Sequence, residues 1–349
     1  MIKRNKAIIS KFIIHKVGNK FNEATNVFSE KLVTFDEDSY RLMQPFLLKP
    51  FLSLTESYRF SHHADINLNE VNSYVSQVFK DEASFVEVSK HLVTHLYEQS
   101  NSAQIKTGDV IIVLFEGLEY RDASTRGLGI FKIENKAEFF QTYLEEDSFD
   151  VFVQKGISTK KVDKGCLILD SQDDDGMTVL TVDNNNYDAQ YWIHNFLSIK
   201  HAEDNNRHTQ VYLEMCKDFS ENVIKQEFGN QGQSQFLAKT VDFFKENESV
   251  NIHDFKETVF EEDTRKVLFD SYKNEFEEAN HLVVRNQFPI SDAVVKKQKR
   301  GFKTEIKLDT NIQIKIDVDA PDAAQEYLER GYDEEKKMKY YKVYYNEED

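Results

Sequence analysis

The sequence has little of the residues on which disulfide-rich and fibrous proteins depend. Its 349 residues include only two cysteines, four prolines and twelve glycines. Two cysteines are too few for a disulfide framework, so we expect Cys166 and Cys216, each beside an apolar neighbour, to be reduced core thiols in a reducing compartment. The low glycine and proline contents exclude collagen-like and low-complexity proteins.

Long apolar runs are also missing. No run approaches the roughly 18 residues of a membrane span. Residues 1–16 are basic and then apolar, but Lys11 interrupts the apolar part and no small-residue cleavage site follows it. This segment is therefore predicted to be a strand rather than a signal peptide. We expect a cytoplasmic protein.

Positive charge is scarce relative to negative charge. The chain has 44 lysines and arginines against 61 aspartates and glutamates, which gives a net charge of −17. Because phosphate binding is driven by lysine and arginine, this balance argues against a general binder of polyanions. It also repels anionic lipid and keeps the protein soluble.

The length of the chain predicts two or three domains. We predict an α+β protein with three regions. Residues 1–203 form a domain with a mixed sheet and flanking helices, residues 204–286 form a helical domain, and residues 287–349 form an antiparallel β-rich region. The helical pattern of the middle region and the alternating pattern of the last region support this division.

The strongest strand signals follow one another within the first region. Residues 110–115 form a near-continuous apolar run rich in β-branched residues, which is typical of a buried strand. A polar connection over residues 121–126 leads to a second predicted strand at residues 128–133. Gly127 and Gly129 allow this strand to pass close to its neighbour.

Further elements are predicted around this hairpin. Residues 166–169 and 177–182 flank a polar tip and form a second hairpin. Residues 136–144 are predicted to form a short helix over the edge of the sheet. Apolar residues at helical spacing predict two amphipathic helices over residues 65–82 and 84–99.

The last region contains a predicted hairpin and the densest basic cluster of the chain. Residues 302–308 and 312–318 alternate between apolar and polar side chains about a short turn. We call the cluster at the start of this region the basic stripe, and it comprises Lys296, Lys297, Lys299, Arg300, Lys303 and Lys307.

The basic stripe is the candidate DNA-binding site. With Glu305 as its one acid it carries a local charge of +5, so the rest of the chain carries −22. Such a cluster can follow a phosphate backbone. The alternative is a solvated charged face before an exposed hairpin. Phe302 beside the stripe fits either stacking on a base or packing in a core.

Two weaker basic patches are present. The N-terminal patch has Lys3, Arg4 and Lys6 near a chain end. The secondary patch precedes the strand that contains Cys166, and its members are Lys155, Lys160, Lys161 and Lys164.

Catalytic motifs are mostly missing. The sequence has no P-loop, no dinucleotide-binding glycine pattern and no nucleophile elbow. His91 and His95 have the spacing of a zinc pair, but Leu92 stands where a metalloprotease has its glutamate. One alternative is a metal-dependent nuclease core, with Asp109 or Glu116 on one strand and Glu134-Asn135-Lys136 at the end of the next. We predict no catalytic residues, no metal and no cofactor.

Several segments resemble a known family in the right order along nearly the whole chain. They are FIIHKVGN at residues 12–19, DVIIVLFEGLEY at 109–120, YWIHNFLSIK at 191–200, FKTEIKLDTNIQIKID at 302–317 and GYDEEKKMKYYKVYY at 331–345. These segments are similar to the bacterial nucleoid-associated proteins of the NdpA/YejK type. The resemblance implies a cytoplasmic, nucleoid-localised and DNA-associated protein without an established enzymatic activity, and it supplies no catalytic set.

Three functional hypotheses follow. The first is a non-enzymatic nucleoid-associated protein whose basic stripe contacts the DNA backbone without reading sequence. The second is an acidic interaction module, monomeric or homodimeric, that reaches the nucleoid by docking on a DNA-processing protein, since an acidic surface suits a basic partner. The third is the metal-dependent nuclease.

Overall fold

The computed structural model describes residues 2–171, 176–185, 190–317 and 327–347, with only the main chain at residues 303, 304 and 317. The chain divides into two compact units, residues 1–202 and residues 203–349. Within the described ranges, no helix combines the length and the apolar character that crossing a membrane requires.

In the part of the first unit that the structure describes, a large sheet is combined with three α-helices. The strands and α-helices are β1 (Ile2–Lys3), β2 (Ile8–Val17), α1 (Glu37–Leu48), β3 (Tyr58–Phe60), α2 (Glu70–Lys80), α3 (Phe85–Glu98), β4 (Gly108–Tyr120), β5 (Ala123–Ile133), β6 (Ala137–Glu145), β7 (Ser148–Gly156), β8 (Lys164–Leu169), β9 (Thr178–Asp183) and β10 (Ile199–His201). Short 3-10 turns occupy Lys49–Phe51, Ile66–Leu68 and Glu82–Ser84, and a π-helical segment occupies Gln190–Leu197.

The large sheet has the strand order β1-β4-β5-β8-β9-β3-β10, and β2 pairs with β4 along the same edge as β1. All of these pairs are antiparallel. The α+β class is confirmed, but the expectation of a mixed sheet is wrong. A two-residue turn joins β4 to β5, and such a connection links antiparallel neighbours only.

Strand β4 is buried on both faces, which explains its near-continuous apolar run. Successive side chains of a strand point to opposite faces, so one set packs with α2, α3 and the π-helical segment and the other set packs with α1. The first set is Val110, Ile112 and Leu114. The second set is Ile111, Val113 and Phe115. Trp192, the only tryptophan, lies fully buried in the first of these cores.

The β4–β5 hairpin is tighter than predicted. Only Arg121 and Asp122 form the turn, and both adopt left-handed backbone angles, with φ of 51° and 62°. This matches the two-residue turn whose twist suits the flanking strands. The predicted connection over residues 121–126 is therefore wrong, because Ala123 already pairs with Tyr120.

The second predicted hairpin is confirmed as β8 and β9, with Leu169 paired with Thr178 at its end. Residues 172–175 of its tip lie outside the described residues. The amphipathic helices are confirmed as α2 and α3. The first begins later than predicted, because Asn69 caps it by accepting a hydrogen bond from the Asn72 N–H at 2.9 Å.

The predicted helix over residues 136–144 is wrong. This segment is strand β6, and it pairs with β7 from Ala137 opposite Gly156 to Glu145 opposite Ser148. We call residues 137–156 the arm. The apolar residues of β6 at positions 139, 140, 143 and 144 have the spacing of a helical face. The segment forms a strand because β7 follows it after a two-residue turn and pairs with it along its whole length.

In the part of the second unit that the structure describes, the helices precede two small hairpins. The elements are α4 (Asn205–Phe219), α5 (Lys225–Glu246), β11 (Ser249–Asn251), α6 (Ile252–Val259), α7 (Asp263–Asn280), β12 (Gln287–Pro289), α8 (Asp292–Gln298), β13 (Lys303–Lys307), β14 (Gln313–Asp317), β15 (Leu328–Asp333) and β16 (Met338–Val343). A π-helical turn at Ser220–Ile224 links α4 to α5, and a 3-10 turn at Lys299–Gly301 follows α8.

The helices of this unit enclose an aromatic core. Tyr212 and Phe219 of α4 contact rings from α5, α6 and α7, with centroid separations of 5.2 to 6.3 Å. The same core includes residues beyond position 286, namely Phe288, Val294, Val295 and Phe302. The division of this part of the chain into a helical domain and a β-rich region at residue 287 stays a prediction.

The predicted C-terminal hairpin is confirmed as β13 and β14. Ile306 pairs with Ile314, and Ile306 and Ile316 form a small separate core. Residue 318, the end of the predicted second strand, lies outside the described residues. A further hairpin, β15 with β16, follows.

Candidate nucleic-acid interface

The basic stripe begins on helix α8, which is anchored to helix α4. Ser291 caps α8, its N–H donates to Thr209 Oγ1 at 3.0 Å, and its hydroxyl donates to Asn206 Oδ1 at 2.6 Å. Val294 and Val295 are buried in the aromatic core of this unit. One side of this short helix is therefore fixed, and the opposite side faces solvent.

Four stripe residues lie at the C-terminal end of α8 and in the 3-10 turn that follows it. Lys296, Lys297 and Arg300 are exposed, and Lys299 is half-buried. The sequence has no acidic residue between positions 292 and 305. Cations at the C-terminal end of a helix also interact favourably with the helix dipole, so this placement has a structural cause as well as a potential binding role.

Phe302 belongs to the core. Its ring is 2% exposed and packs with the aromatic cluster, and its N–H donates to the Lys299 carbonyl at 3.0 Å. The packing alternative for Phe302 is confirmed, and a stacking role on a base is wrong because the ring is inaccessible. Its burial holds the turn that presents Lys299 and Arg300.

The remaining stripe residues lie on β13. The side chain of Lys303 is outside the described residues. Lys307 is exposed, and its ammonium lies 3.7 Å from Glu305. Lys315 of β14 lies 3.6 Å from the same carboxylate. Exposed ion pairs of this kind are worth at most about 1 kcal/mol, so one carboxylate shared by two lysines leaves this end of the stripe positive.

Lys217 is a basic residue that the sequence did not assign to the stripe. It lies in the last turn of α4, and its ammonium is 3.5 Å from the position that a Cβ on Gly301 would occupy. Nothing in the local sequence around Lys217 signals this neighbourhood, because the packing of α4 against α8 creates it. The structure thus adds a fifth cation to the cluster around the 3-10 turn.

The secondary patch is not gathered into one basic surface. Lys155 on the arm pairs with Glu138 at 2.9 Å, and the Lys161 ammonium donates to the Asn184 carbonyl at 2.9 Å. Lys160 is exposed in the loop before β8. These lysines share little beyond their place in the sequence.

Lys164 is not a surface residue. It is 2% exposed. Its ammonium forms an ion pair of 2.6 Å with the carboxylate of Asp183, whose side chain is also buried. A lysine in this position cannot meet a phosphate group unless the beginning of β8 unfolds. Its assignment to the secondary patch is therefore wrong, because its place at the start of β8 directs the side chain into the unit.

The N-terminal patch is tied to the large sheet. Lys3 of β1 pairs with Asp122 at 2.7 Å, and Lys6 lies 3.7 Å from Glu119. Each lysine thus has an acidic neighbour on β4 or its turn.

The hypothetical nuclease core is only partly brought together, because Glu134 has other partners and Glu116 lies elsewhere on the hairpin. Asp109 pairs with Lys136 at 2.8 Å. Glu134 turns to the buried Lys132 at 3.0 Å and accepts from Asn185 at 2.7 Å. Glu116 lies far from Glu134 along the same hairpin. In the strand register Asp109 is opposite Ile133, whereas Phe115, the residue before Glu116, is opposite Gly127.

Burial and hydrogen bonding shift the pKa values around Glu134. Burial lowers the pKa of Lys132, although the Glu134 carboxylate opposes that shift. Burial by itself raises the pKa of Asp163, but hydrogen bonds from the Asn135 side chain and from the N–H groups of Asn135 and Glu134 lower it overall. Asp163 thus holds the backbone and side chain just after the end of β5, which is a structural arrangement.

The histidine pair on α3 does not converge on a common point. His95 contacts Glu70 through Nδ1 at 2.7 Å and the Phe196 carbonyl through Nε2 at 3.0 Å, while His91 lies 3.4 Å from Glu87. In the residues that the structure describes, no group of three or more histidines, cysteines or carboxylates could hold a metal ion.

Comparison with known proteins adds one finding to this geometry. The family model described as NA37, nucleoid-associated protein YejK, matches residues 13–339. This match overlaps all five segments on which the sequence resemblance rests. None of the curated proteins matches the chain.

Proposed function

Because the chain belongs to the family described as nucleoid-associated protein YejK, we propose that it acts at the nucleoid by binding DNA directly through the basic stripe. The stripe contacts the phosphate backbone and does not read base sequence. Lys217 extends the contact surface. No catalytic step forms part of this proposal.

One observation carries the proposal. Residues 293–304 include five basic residues and no acidic one in a chain of net charge −17. Four of the five lie at the end of α8, whose other side is anchored in the core through Val294 and Val295. A cluster of positive charge on an anchored helix is what backbone binding requires.

Electrostatic screening allows such a cluster to function. At physiological ionic strength the Debye length is about 8 Å. Acidic groups farther from the stripe than this distance repel a bound phosphate only weakly. Local charge near the 3-10 turn therefore decides binding more than the net charge of the chain.

The chemistry of the stripe predicts its specificity. Lysine and arginine side chains on an exposed turn can meet phosphate oxygens, and the aromatic ring beside them, Phe302, is buried and cannot stack on a base. Contacts to phosphate position a protein on DNA without carrying sequence information. We expect similar affinities for unrelated duplexes and a steep dependence on salt.

The direct experiment measures fluorescence anisotropy of a labelled duplex against protein concentration, over about 50 to 300 mM salt. The test variant is Lys297→Glu/Lys299→Glu/Arg300→Glu. Losing three phosphate contacts reduces the slope of log affinity against log salt by about 2.7 and weakens binding roughly 100-fold at low salt.

A matched variant separates local from overall charge. Lys336→Glu/Lys337→Glu/Lys339→Glu changes the net charge equally, at exposed positions in and just after a turn that already has Asp333, Glu334 and Glu335 beside it. We expect this control to bind like the unmodified protein. Equal binding by the stripe variant and the unmodified protein rejects direct contact through the stripe. Docking of the acidic surface on a basic DNA-processing protein then becomes the better account.

A further inference from the structure

The arm is the least buried element of the first unit. In the described structure, 16 of its 18 strand residues are exposed and the other two are intermediate. It forms its own two-stranded sheet, separate from the large sheet. An isolated two-stranded hairpin is marginally stable in water. An arm with these side chains therefore needs a surface to cover it.

Strand alternation divides the arm into two unlike faces. One face carries Gln141, Asp150 and Gln154 among its aromatic residues. The other, which we call the apolar face, has no charged residue along its length until the Glu138–Lys155 ion pair of 2.9 Å near its base. The apolar face consists of Phe140, Thr142, Leu144, Phe149, Val151 and Val153.

The apolar face is large for a surface patch. Its five large residues keep 59 to 76% of their surface exposed, which corresponds to about 500 Å² of exposed area at about 150 Å² for each residue. The largest apolar patch of a typical monomer is about 300 to 600 Å² and is commonly functional. The apolar face is therefore large enough to be an interaction surface.

We propose that the apolar face is a homodimerisation surface, on which the same face of a second copy of the chain packs. Two such faces, each wholly covered by the other, bury about 1,000 Å² in total, which is roughly the area that a specific interface needs. Two copies of a chain with net charge −17 repel each other over most of their surface. They can approach where the contact surface is uncharged, and the apolar face meets that condition.

The order of residues along the arm makes the face complementary to itself. Thr142 pairs with Val151 halfway along the hairpin. A two-fold axis at this pair places the tip of one arm over the base of the other, with the two sheets about 10 Å apart. The tip carboxylates of Glu146 and Asp147 then lie near Lys155 of the second copy.

The experiment measures the mass of the full-length protein by sedimentation equilibrium over about 1 to 50 μM, the range in which moderate dimers dissociate. We expect twice the 40.9 kDa of one chain. Val151→Lys places two like charges across the two-fold axis, and we expect it to raise the dimer dissociation constant at least about 100-fold. Trp192 fluorescence reports folding, because Trp192 lies in a core to which the arm contributes no residue.

Gln154→Lys is the matched control, since it adds the same charge to the other face of the same arm. We expect it to leave the dimer intact. A second measurement uses Thr142→Cys, which a short bismaleimide should link across the axis, whereas Gln141→Cys should not be linked. The native Cys166 and Cys216 are buried. A monomer at every concentration, or a dimer that survives Val151→Lys, overturns the proposal, as does equal disruption by Gln154→Lys.

Discussion

The stability of the first unit should depend on pH through His15. This residue lies on β2, is 2% exposed and stands between two hydrogen-bonding partners. The Ser29 N–H donates to Nδ1 at 3.0 Å, and Nε2 contacts Ser89 Oγ at 2.8 Å. Because the Ser89 hydroxyl donates to the Val86 carbonyl at 2.6 Å, Nε2 carries the proton and Nδ1 is the acceptor.

Protonation of His15 breaks this arrangement. A proton on Nδ1 would face the Ser29 N–H, so the charged imidazole loses a partner as well as its hydration. Burial is the main cause that lowers the pKa of His15 to about 4 from 6.5, and the positive charge of Lys90 adds to it while Glu30 opposes it. The neutral ring is therefore the form that the folded state requires.

The sign of the effect follows from the two pKa values. Between pH 6.5 and about 4 the unfolded chain binds the proton and the folded chain does not, so the free energy of unfolding decreases as the pH falls through this window. At about 1.4 kcal/mol per pH unit, the loss amounts to about 2 kcal/mol at pH 5 and at most about 3 kcal/mol below pH 4.

The assay is urea unfolding followed by the fluorescence of Trp192, which reports the first unit, at about pH 7.5 and about pH 5. His15→Gln keeps hydrogen-bonding groups but does not titrate. We expect this variant to be less stable at the higher pH, yet to lose about 2 kcal/mol less on acidification than the unmodified protein. The exposed His194 supplies the control variant His194→Gln, which should behave as the unmodified protein does. An identical loss in all three proteins refutes the reasoning.

Two further predictions concern residues whose surroundings only the structure shows. Lys217→Glu should weaken DNA binding in the anisotropy assay about 3- to 10-fold by removing one contact, whereas Lys336→Glu should not. Equal affinities would exclude Lys217 from the contact surface. Asp183→Asn leaves the Lys164 ammonium buried without its counter-charge and should lower the unfolding free energy by about 3 to 5 kcal/mol. Glu98→Gln, which breaks an exposed ion pair with Lys20, should change it by less than about 1 kcal/mol. A small effect at Asp183 would show that water reaches Lys164.

Much of the fold could be predicted because its signals are local. The apolar run of β4 and the alternation of β13 and β14 identified strands, and helical spacing identified α2 and α3. The arm was misassigned because Phe139, Phe140, Tyr143 and Leu144 have the spacing of one helical face, whereas in the strand they divide between its two faces. Pairing with a segment farther along the chain decides such a case, and the spacing within one segment cannot.

The candidate site divides in the same way. The concentration of lysine and arginine in residues 296–307 is a property of neighbours in the chain, so composition alone was enough to find it. The burial of Lys164 and Phe302, the approach of Lys217 to Gly301 and the exposure of the apolar face depend on contacts between residues distant in sequence. Such contacts form only when helices and strands pack. For that reason the tertiary structure decided which basic residues can meet a phosphate. It also decided which apolar residues still need a partner.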